Sequence, residues 1–152
     1  MILLAIDPGT SQSGYIALET SNWKVVSFGK VDNAEMRRIV REEYYDVICC
    51  EMVASYGRPV GQEVFDTCLQ IGRIQQIVYD DSGVELDLVL RRQVKKHILG
   101  KASGKEANDS AIRKALIERF GAEYCKEFKA DIMAAFSVAV TWTDEYNAPT
   151  SP

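Results

Sequence analysis

The chain begins with Met1-Ile2-Leu3-Leu4-Ala5-Ile6-Asp7-Pro8-Gly9, in which six apolar residues lead to an aspartate and a Pro-Gly turn. The apolar run has the length of a strand and the Pro-Gly pair ends it, so the pattern predicts a buried β-strand over residues 1–7 that closes on a carboxylate. Two further predicted strands follow, Gly14–Leu18 and Trp23–Phe28, with a short polar turn between them. Three consecutive strands suggest an antiparallel meander.

Helical and strand patterns alternate after this meander. Apolar residues recur at helical spacing in five segments, which we predict as helices: Asn33–Tyr44, Gly61–Tyr79, Arg91–Leu99, Glu106–Phe120 and Ala130–Trp142. Two compact apolar runs, Asp46–Glu51 and Val84–Leu90, are predicted as strands. Because strand–helix–strand crossovers join parallel neighbours, the sequence predicts an α/β fold with a mixed five-stranded sheet flanked by helices on both faces.

The length of 152 residues suits one domain. We expect residues 1–146 to form this domain and residues 147–152 to be a disordered tail. The apolar N-terminus lacks a preceding basic region and runs directly into Asp-Pro-Gly, which argues against a signal peptide. No apolar run is long enough to cross a membrane, so no membrane partner is expected. The four cysteines form no zinc-like pair, which fits a reduced cytoplasmic setting.

The net charge of −4 is unusual for a protein that binds nucleic acid, but the basic residues are unevenly distributed. Residues 91–105 contain no Asp or Glu and hold six basic side chains: Arg91, Arg92, Lys95, Lys96, Lys101 and Lys105. A local basic patch matters more for phosphate binding than the total charge of a chain. The segment is therefore predicted to bind DNA phosphates, and the structural alternative is a solvated helix face.

Three carboxylates stand where apolar elements end or begin: Asp7, Glu51 and Asp131. If the first and fourth strands are neighbours, Asp7 and Glu51 leave the sheet side by side. Closely spaced carboxylates repel each other unless a cation neutralises them, and oxygen ligands suit Mg²⁺ or Mn²⁺. Two such ions about 4 Å apart can activate a water in phosphodiester hydrolysis. Taken singly, the three acids could instead be a turn residue, a solvated strand end and a first-turn helix acid.

Four short segments resemble, in order, the motifs of the RuvC family of Holliday-junction resolvases. The first is Leu4-Ala5-Ile6-Asp7-Pro8-Gly9-Thr10 with Ser13-Gly14-Tyr15 after it, and the second is Val47-Ile48-Cys49-Cys50-Glu51. The third is Arg92-Gln93-Val94-Lys95 with Gly100 and Lys105 beyond it, and the fourth is Ala130-Asp131-Ile132-Met133-Ala134. The stretch after Glu51 is similar to RuvC-like proteins of phages and prophages.

The resemblance implies an RNase H-like fold and a structure-selective endodeoxyribonuclease that resolves Holliday junctions or other branched DNA by two-metal hydrolysis. It implies Asp7, Glu51 and Asp131 as catalytic metal ligands, with two Mg²⁺ or Mn²⁺ ions as the cofactor. Lys95 and Lys105 are implied to contact phosphates near the scissile bond. A homodimer that nicks a four-way junction symmetrically, in the cytoplasm of a bacterium or phage-infected cell, is implied as well.

The chain departs from the family pattern at one metal-ligand position. The family carries a second acid or a histidine three residues before the last aspartate, where this chain has Phe128. Glu127 lies four residues before Asp131 and shares its helix face if the helix begins early enough, so we predict it as a further metal ligand. If the helix begins near Ala130, Glu127 lies in a solvated loop and water completes the metal shell.

Three other functions fit parts of the sequence. Residues 6–11 also resemble the phosphate loop of actin-like sugar kinases and ATPases, but those enzymes need two lobes and 152 residues provide one, so no nucleotide cofactor is expected. A non-catalytic DNA-binding or dimerisation module of the same fold is the second alternative, and the intact set of three acids argues against it. A related nuclease that acts on flap or RNA-containing substrates is the third.

Overall fold

The computed structural model describes residues 1–150, which form five strands and six helices. The strands are β1 (Ile2–Asp7), β2 (Gln12–Glu19), β3 (Val25–Asp32), β4 (Val47–Met52) and β5 (Asp87–Leu90). The helices are α1 (Asn33–Glu42), α2 (Gln62–Ser82), α3 (Arg91–Leu99), α4 (Asp109–Phe120), α5 (Ala122–Cys125) and α6 (Ala130–Asn147). None of the helices in this described part of the chain has the length and apolar character needed to cross a membrane.

The five strands form one sheet in the order β3-β2-β1-β4-β5. β2 pairs antiparallel with both β1 and β3, so the first three strands are a meander. β4 pairs parallel with both β1 and β5, and α2 makes the crossover between β4 and β5. The predicted mixed sheet, antiparallel on one side and parallel on the other, is confirmed.

Alternating side chains of β1 contribute to a core on each face of the sheet. Leu3 and Ala5 pack in the core that contains α6, whereas Leu4 and Ile6 pack in the core that contains α1 and α2. β1 is buried on both faces, which explains why its sequence is a continuous apolar run rather than an alternating one. The prediction of helices on both faces is therefore confirmed as well.

β3 is longer and starts later than the sequence predicted. It begins at Val25 instead of Trp23 and continues past Phe28 to Asp32, because its second half goes on pairing with β2. Asp32 then ends the strand and caps α1 by accepting a hydrogen bond from the backbone amide of Glu35 at 2.8 Å. The longer strand brings Lys30 into the sheet, which matters for the site described below.

Capping residues explain two other differences from the predicted boundaries. α2 runs to Ser82 and ends at Gly83, which has the left-handed conformation that favours glycine, so β5 begins only at Asp87. α4 begins at Asp109 instead of Glu106, because the side chain of Asn108 accepts a hydrogen bond from the Ala111 amide at 2.9 Å.

The last helix is also longer than predicted, since α6 includes Asn147, the first residue of the predicted tail. The carboxylate of Asp144 accepts hydrogen bonds from Arg119 of α4 at 2.6 Å and lies 2.7 Å from His97 of α3. These contacts fix the last turns of α6 against the neighbouring helices. Residues 151–152, the end of the predicted tail, lie outside the described residues.

Candidate active site

Asp7 and Glu51 lie together at one end of the sheet. In the parallel pairing of β1 and β4, Ile6 is opposite Cys50, so the next residue of each strand is an acid. Both acids follow the alternation that places Ala5 and Cys49 in the core of the α6 face, so both project toward α6. The predicted neighbourhood of strands one and four is thus confirmed, and it brings the two carboxylates side by side.

Asp131 reaches the same place from the first turn of α6. Asp7 pairs with Gly14 of β2, and the backbone of Asp131 packs directly onto Gly14. A Cβ atom built on Gly14 would stand 2.5 Å from the backbone oxygen of Asp131 and 2.8 Å from its Cβ. A side chain at position 14 would therefore push α6 away from the sheet, and glycine is what allows Asp131 to approach Asp7.

The proximity of these acids perturbs their protonation. Burial, followed by the negative charges of Glu51 and Asp131, raises the pKa of Asp7 to about 7. Burial also raises the pKa of Glu51, and the positive charges of Arg91 and Lys95 partly offset that effect. The raised pKa of Asp7 shows that the fold keeps carboxylates close together although they repel each other. Carboxylates with strongly raised pKa values are common at functional sites.

Lys30 is the residue of this site that sequence reasoning missed. Its ammonium group lies 2.6 Å from the Oδ2 atom of Asp131, and this hydrogen bond and the negative charge of Asp131 raise the pKa of Lys30. Lys30 and Asp131 both line a cleft of about 230 Å³, which is also lined by Asp7, by the loop 8–11 and by the start of β2. The run Gly29-Lys30-Val31-Asp32 continues β3 beyond its predicted end, and this signal could have placed Lys30 in the sheet but not beside Asp131.

The chemistry of Asp7 and Glu51 suits a hard divalent cation, because both offer carboxylate oxygens at the ends of rigid strands. Asp131 offers the same chemistry, but one of its oxygens is engaged by Lys30. Within residues 1–150, no group of three or more His, Cys, Asp or Glu side chains is arranged so that it could hold an ion. By their chemistry, Asp7 and Glu51 are the residues that would hold a metal, because Lys30 already engages Asp131.

Neither Phe128 nor Glu127 lies where it could act as a fourth metal ligand beside Asp131. Phe128 is 2% exposed and packs edge to face against Phe28 and Tyr124, so it belongs to the core. Glu127 is exposed in the turn between α5 and α6, and α6 begins only at Ala130. The early helix start that would place Glu127 on the face of Asp131 does not occur, because Lys129 is the N-cap residue of α6.

Part of the basic segment borders a groove that adjoins Glu51 through Arg91. The groove has a volume of about 470 Å³ and is lined by Tyr56, Arg58, Arg91, Arg92, Lys95, Ala102, Ser103, Gly104 and Ala107. The guanidinium of Arg92 lies over the ring of Tyr56, 6.0 Å from its centroid. The Nη1 atom of Arg91 is 3.8 Å from Oε2 of Glu51, so the groove adjoins the acidic end of the sheet.

The remaining basic residues of the segment lie elsewhere. Lys96 borders a separate cleft with Gln93, His97 and Glu145, and Lys105 is exposed in a turn. Lys101 forms an ion pair with Glu106, and Arg91 forms one with Asp109. The segment 91–105 contains no acid, but acids that follow it directly in sequence fold back and neutralise two of its six positive charges.

No known protein-family model and no curated protein sequence matches the chain. Among solved structures, Thermus thermophilus RuvC is similar over 96% of both chains, with a TM-score of 0.67 and 15% identity. T. thermophilus RuvC in complex with a Holliday junction substrate is similar over 93% of this chain and 92% of that one, with a TM-score of 0.61 and 15% identity. Fowlpox virus resolvase in complex with substrate Holliday junction DNA is similar over 97% and 100%, with a TM-score of 0.58 and 11% identity. The chain therefore has the fold of the RuvC-like resolvases, as its motifs predicted.

Proposed function

We propose that this chain is a divalent-metal-dependent endonuclease that cuts Holliday junctions or other branched DNA. The observation that carries the proposal is the position of Asp7, Glu51 and Asp131 at one sheet end, next to a groove lined by basic and aromatic side chains. Two solved structures with this fold hold Holliday junction DNA, which supports branched DNA as the substrate class.

The acids and the groove have separate tasks in this proposal. Asp7 and Glu51 would hold the metal, with Asp131 beside them, and a bound divalent ion would supply Lewis-acid activation of a water and of the phosphoryl oxygen. Arg91 and Lys95 place positive charge within reach of Glu51, where the phosphate backbone must pass to meet the acids. Because Arg91 is also paired with Asp109, the charge of Lys95 is the one that would offset the repulsion between the scissile strand and the carboxylates.

The aromatic side of the groove favours a strand with unpaired bases. Tyr56 is 54% exposed and its ring is held by the guanidinium of Arg92. Exposed aromatic rings next to a basic groove stack on bases that have left the duplex. Bases at the crossover of a branched junction are more easily unstacked than those of a continuous duplex, so such a groove would favour the branch over continuous duplex.

The experiment that tests the proposal is incubation of the purified chain with a labelled four-way junction, a flap, a duplex and an RNA–DNA hybrid. Each substrate is tested with Mg²⁺, with Mn²⁺ and with EDTA. We expect nicks in the junction with either metal and none with EDTA. Binding of the junction without cutting in any metal would favour the non-catalytic module, and preferred cutting of the flap or hybrid would favour the related nuclease.

Replacing Lys95 with Ala should weaken junction binding and lower its salt dependence. Each lost phosphate contact reduces the slope of log K against log salt concentration by about 0.9 on duplex arms. Lys96→Ala is the matched control, because Lys96 is adjacent in sequence but borders a different cleft, with Gln93 and His97. Fluorescence anisotropy of a labelled junction at several KCl concentrations measures both slopes. Equal slopes in the two variants would contradict the assignment of the groove.

We also propose that the chain is a homodimer that pairs through α2. Phe65 and Leu69 are 56% and 58% exposed on the side of α2 that faces away from the core residues Ile71 and Ile74. Gly72 continues this exposed side, and no atom of residues 1–150 lies within 4 Å of the place where its Cβ would stand. A glycine inside a helix costs about 0.5–1 kcal/mol relative to alanine, and no contact among these described residues requires a glycine at position 72. A second helix that approaches closely would require it.

Leu69→Asp should convert the dimer into a monomer, because it places a charge in the centre of an apolar contact. Sedimentation velocity at micromolar concentration measures the change in mass. Val26→Asp is the control. Val26 is 57% exposed on β3, which is the edge strand on the opposite side of the sheet from β5. A parent chain that sediments as a monomer, or a dimer that survives Leu69→Asp, would contradict this interface.

A further inference from the structure

Lys30 brings a positive charge into the acidic end of the sheet by its place in the strand register. Gly14 of β2 pairs with Asp7 on one side and with Lys30 on the other, so the three residues form one row across three strands. Residues in such a row project from the same face of the sheet. Since Gly14 has no side chain, Lys30 extends across the middle of the row toward the acids.

The contact that results is short and direct. The ammonium of Lys30 is 2.6 Å from Oδ2 of Asp131, and the backbone of Asp131 is packed against Gly14. The guanidinium of Arg91 approaches the site from the other side but stops 3.8 Å from Glu51, beyond hydrogen-bond distance, and is engaged by Asp109. Of these two cations, Lys30 is the one that neutralises a carboxylate of the site by direct contact.

The same side of the site lacks the usual number of ligands for a second metal ion. Phe128 is buried in the aromatic core, and Glu127 lies in an exposed turn before α6 begins. Asp7 and Asp131 are the carboxylates that remain there, and Lys30 already engages Asp131. A divalent ion between Asp7 and Asp131 would have to displace the ammonium or lie beside its positive charge, and either arrangement weakens the binding of that ion.

We propose that Lys30 is a built-in cation on the Asp131 side of the site, so that the chain binds one divalent ion, through Asp7 and Glu51, instead of two. The proposal rests on the proposed function for the identity of the metal site. Lys30 is a positioning residue in this arrangement. It balances the charge of Asp131, whose backbone packs on Gly14, and occupies the place that a second ion would take.

The experiment is a titration of the purified, metal-free chain with Mn²⁺ in the absence of DNA, in which electron paramagnetic resonance measures the free ion. We expect one Mn²⁺ per chain for the wild type and two for Lys30→Met, which keeps the length of the side chain and removes its charge. Lys30→Arg should restore one ion per chain. Lys24→Met is the matched control, because Lys24 is exposed just before the opposite end of β3, and it should also bind one ion.

A wild-type stoichiometry of zero or two, or a stoichiometry of one in Lys30→Met, would overturn the proposal. Circular dichroism verifies that each variant is folded, and Lys30→Gln provides a second uncharged variant if Lys30→Met is not. The outcome is independent of the nuclease assay, since no DNA is present. A chain that binds one ion as wild type and two as Lys30→Met, yet cuts no branched DNA, would support the role of Lys30 and refute the proposed nuclease.

Discussion

Replacing Asp7 with Asn should reduce the rate of metal-dependent junction cleavage by at least about 10³-fold. A lost ligand carboxylate removes metal affinity and transition-state stabilisation worth several kcal/mol, and every 1.36 kcal/mol or so is a factor of about ten in rate. Junction binding should stay close to that of the parent chain, because the groove that contains Lys95 is intact. Single-turnover cleavage at saturating protein and an anisotropy titration measure the two quantities separately.

The same substitution should stabilise the metal-free protein at alkaline pH. The pKa of Asp7 is about 7 in the folded chain, whereas an unperturbed aspartate has a pKa of about 3.9. Between these values the folded state binds more protons than the unfolded state, so ionisation of Asp7 lowers stability as pH rises through this window. The asparagine side chain carries no charge, so Asp7→Asn should gain about 2–4 kcal/mol above pH 7 and little below pH 4. Urea denaturation in EDTA measures this gain and excludes misfolding as the cause of lost activity.

Glu51→Gln should abolish cleavage in the same assay for the same reason. Asp131→Asn should abolish it as well, because it removes the carboxylate that lies beside the metal site and pairs with Lys30. Asp81→Asn is the matched control. Asp81 is an exposed aspartate in the last turn of α2 and belongs to none of the elements that carry the three acids. This variant should cut at the parent rate. A site variant that also cuts near the parent rate would remove that residue from the catalytic set.

The three acids of the site could be predicted from local sequence patterns. Asp7 and Glu51 each end an apolar run, and a buried run that ends in a carboxylate is visible in the amino-acid sequence itself. The order of strands and helices predicts parallel strands in this part of the sheet, but the sequence left open whether β1 and β4 are neighbours. The structure pairs them, and this pairing brings the two acids together. Asp131 is visible as the acid that opens an apolar helix, but its approach to Asp7 depends on Gly14, whose role only packing reveals.

The charges that compensate these acids could not be predicted in the same way. Lys30 reaches Asp131 through two strand pairings, and a register across three strands is not encoded in the local pattern around residue 30. The segment that contains Arg91 has no acid of its own, which predicts a free basic side chain, yet Asp109 pairs with Arg91 after the chain turns back. The position of Glu127 depends on the residue at which α6 begins. Helix boundaries are hard to predict from a sequence pattern to within one or two residues, so the sequence could not decide whether Glu127 belongs to the helix.

Replacing Gly14 with Ala should lower stability by about 1–3 kcal/mol and reduce cleavage by about 10²-fold or more. The added methyl group would stand 2.5 Å from the backbone oxygen of Asp131 and 2.7 Å from its carbonyl carbon, and backbone atoms cannot turn aside as a flexible side chain can. Overpacking of this kind costs about 1–3 kcal/mol, and a shift of about 1 Å in a group that supports the reacting centre can cost about 10²-fold in rate. Denaturant unfolding and single-turnover cleavage measure the two effects.

Gly29→Ala is the control that separates this contact from a general cost of alanine in the sheet. Gly29 lies on the neighbouring strand, and its Cβ would meet the Cε1 atom of Tyr15 at 3.3 Å, a side-chain contact that the ring relieves by a small rotation. We expect Gly29→Ala to retain cleavage within about threefold of the parent chain, since it touches neither Asp7 nor Asp131 and changes away from such contacts cost little. If Gly14→Ala and Gly29→Ala lost activity equally, the close packing of α6 on Gly14 would not be what positions Asp131.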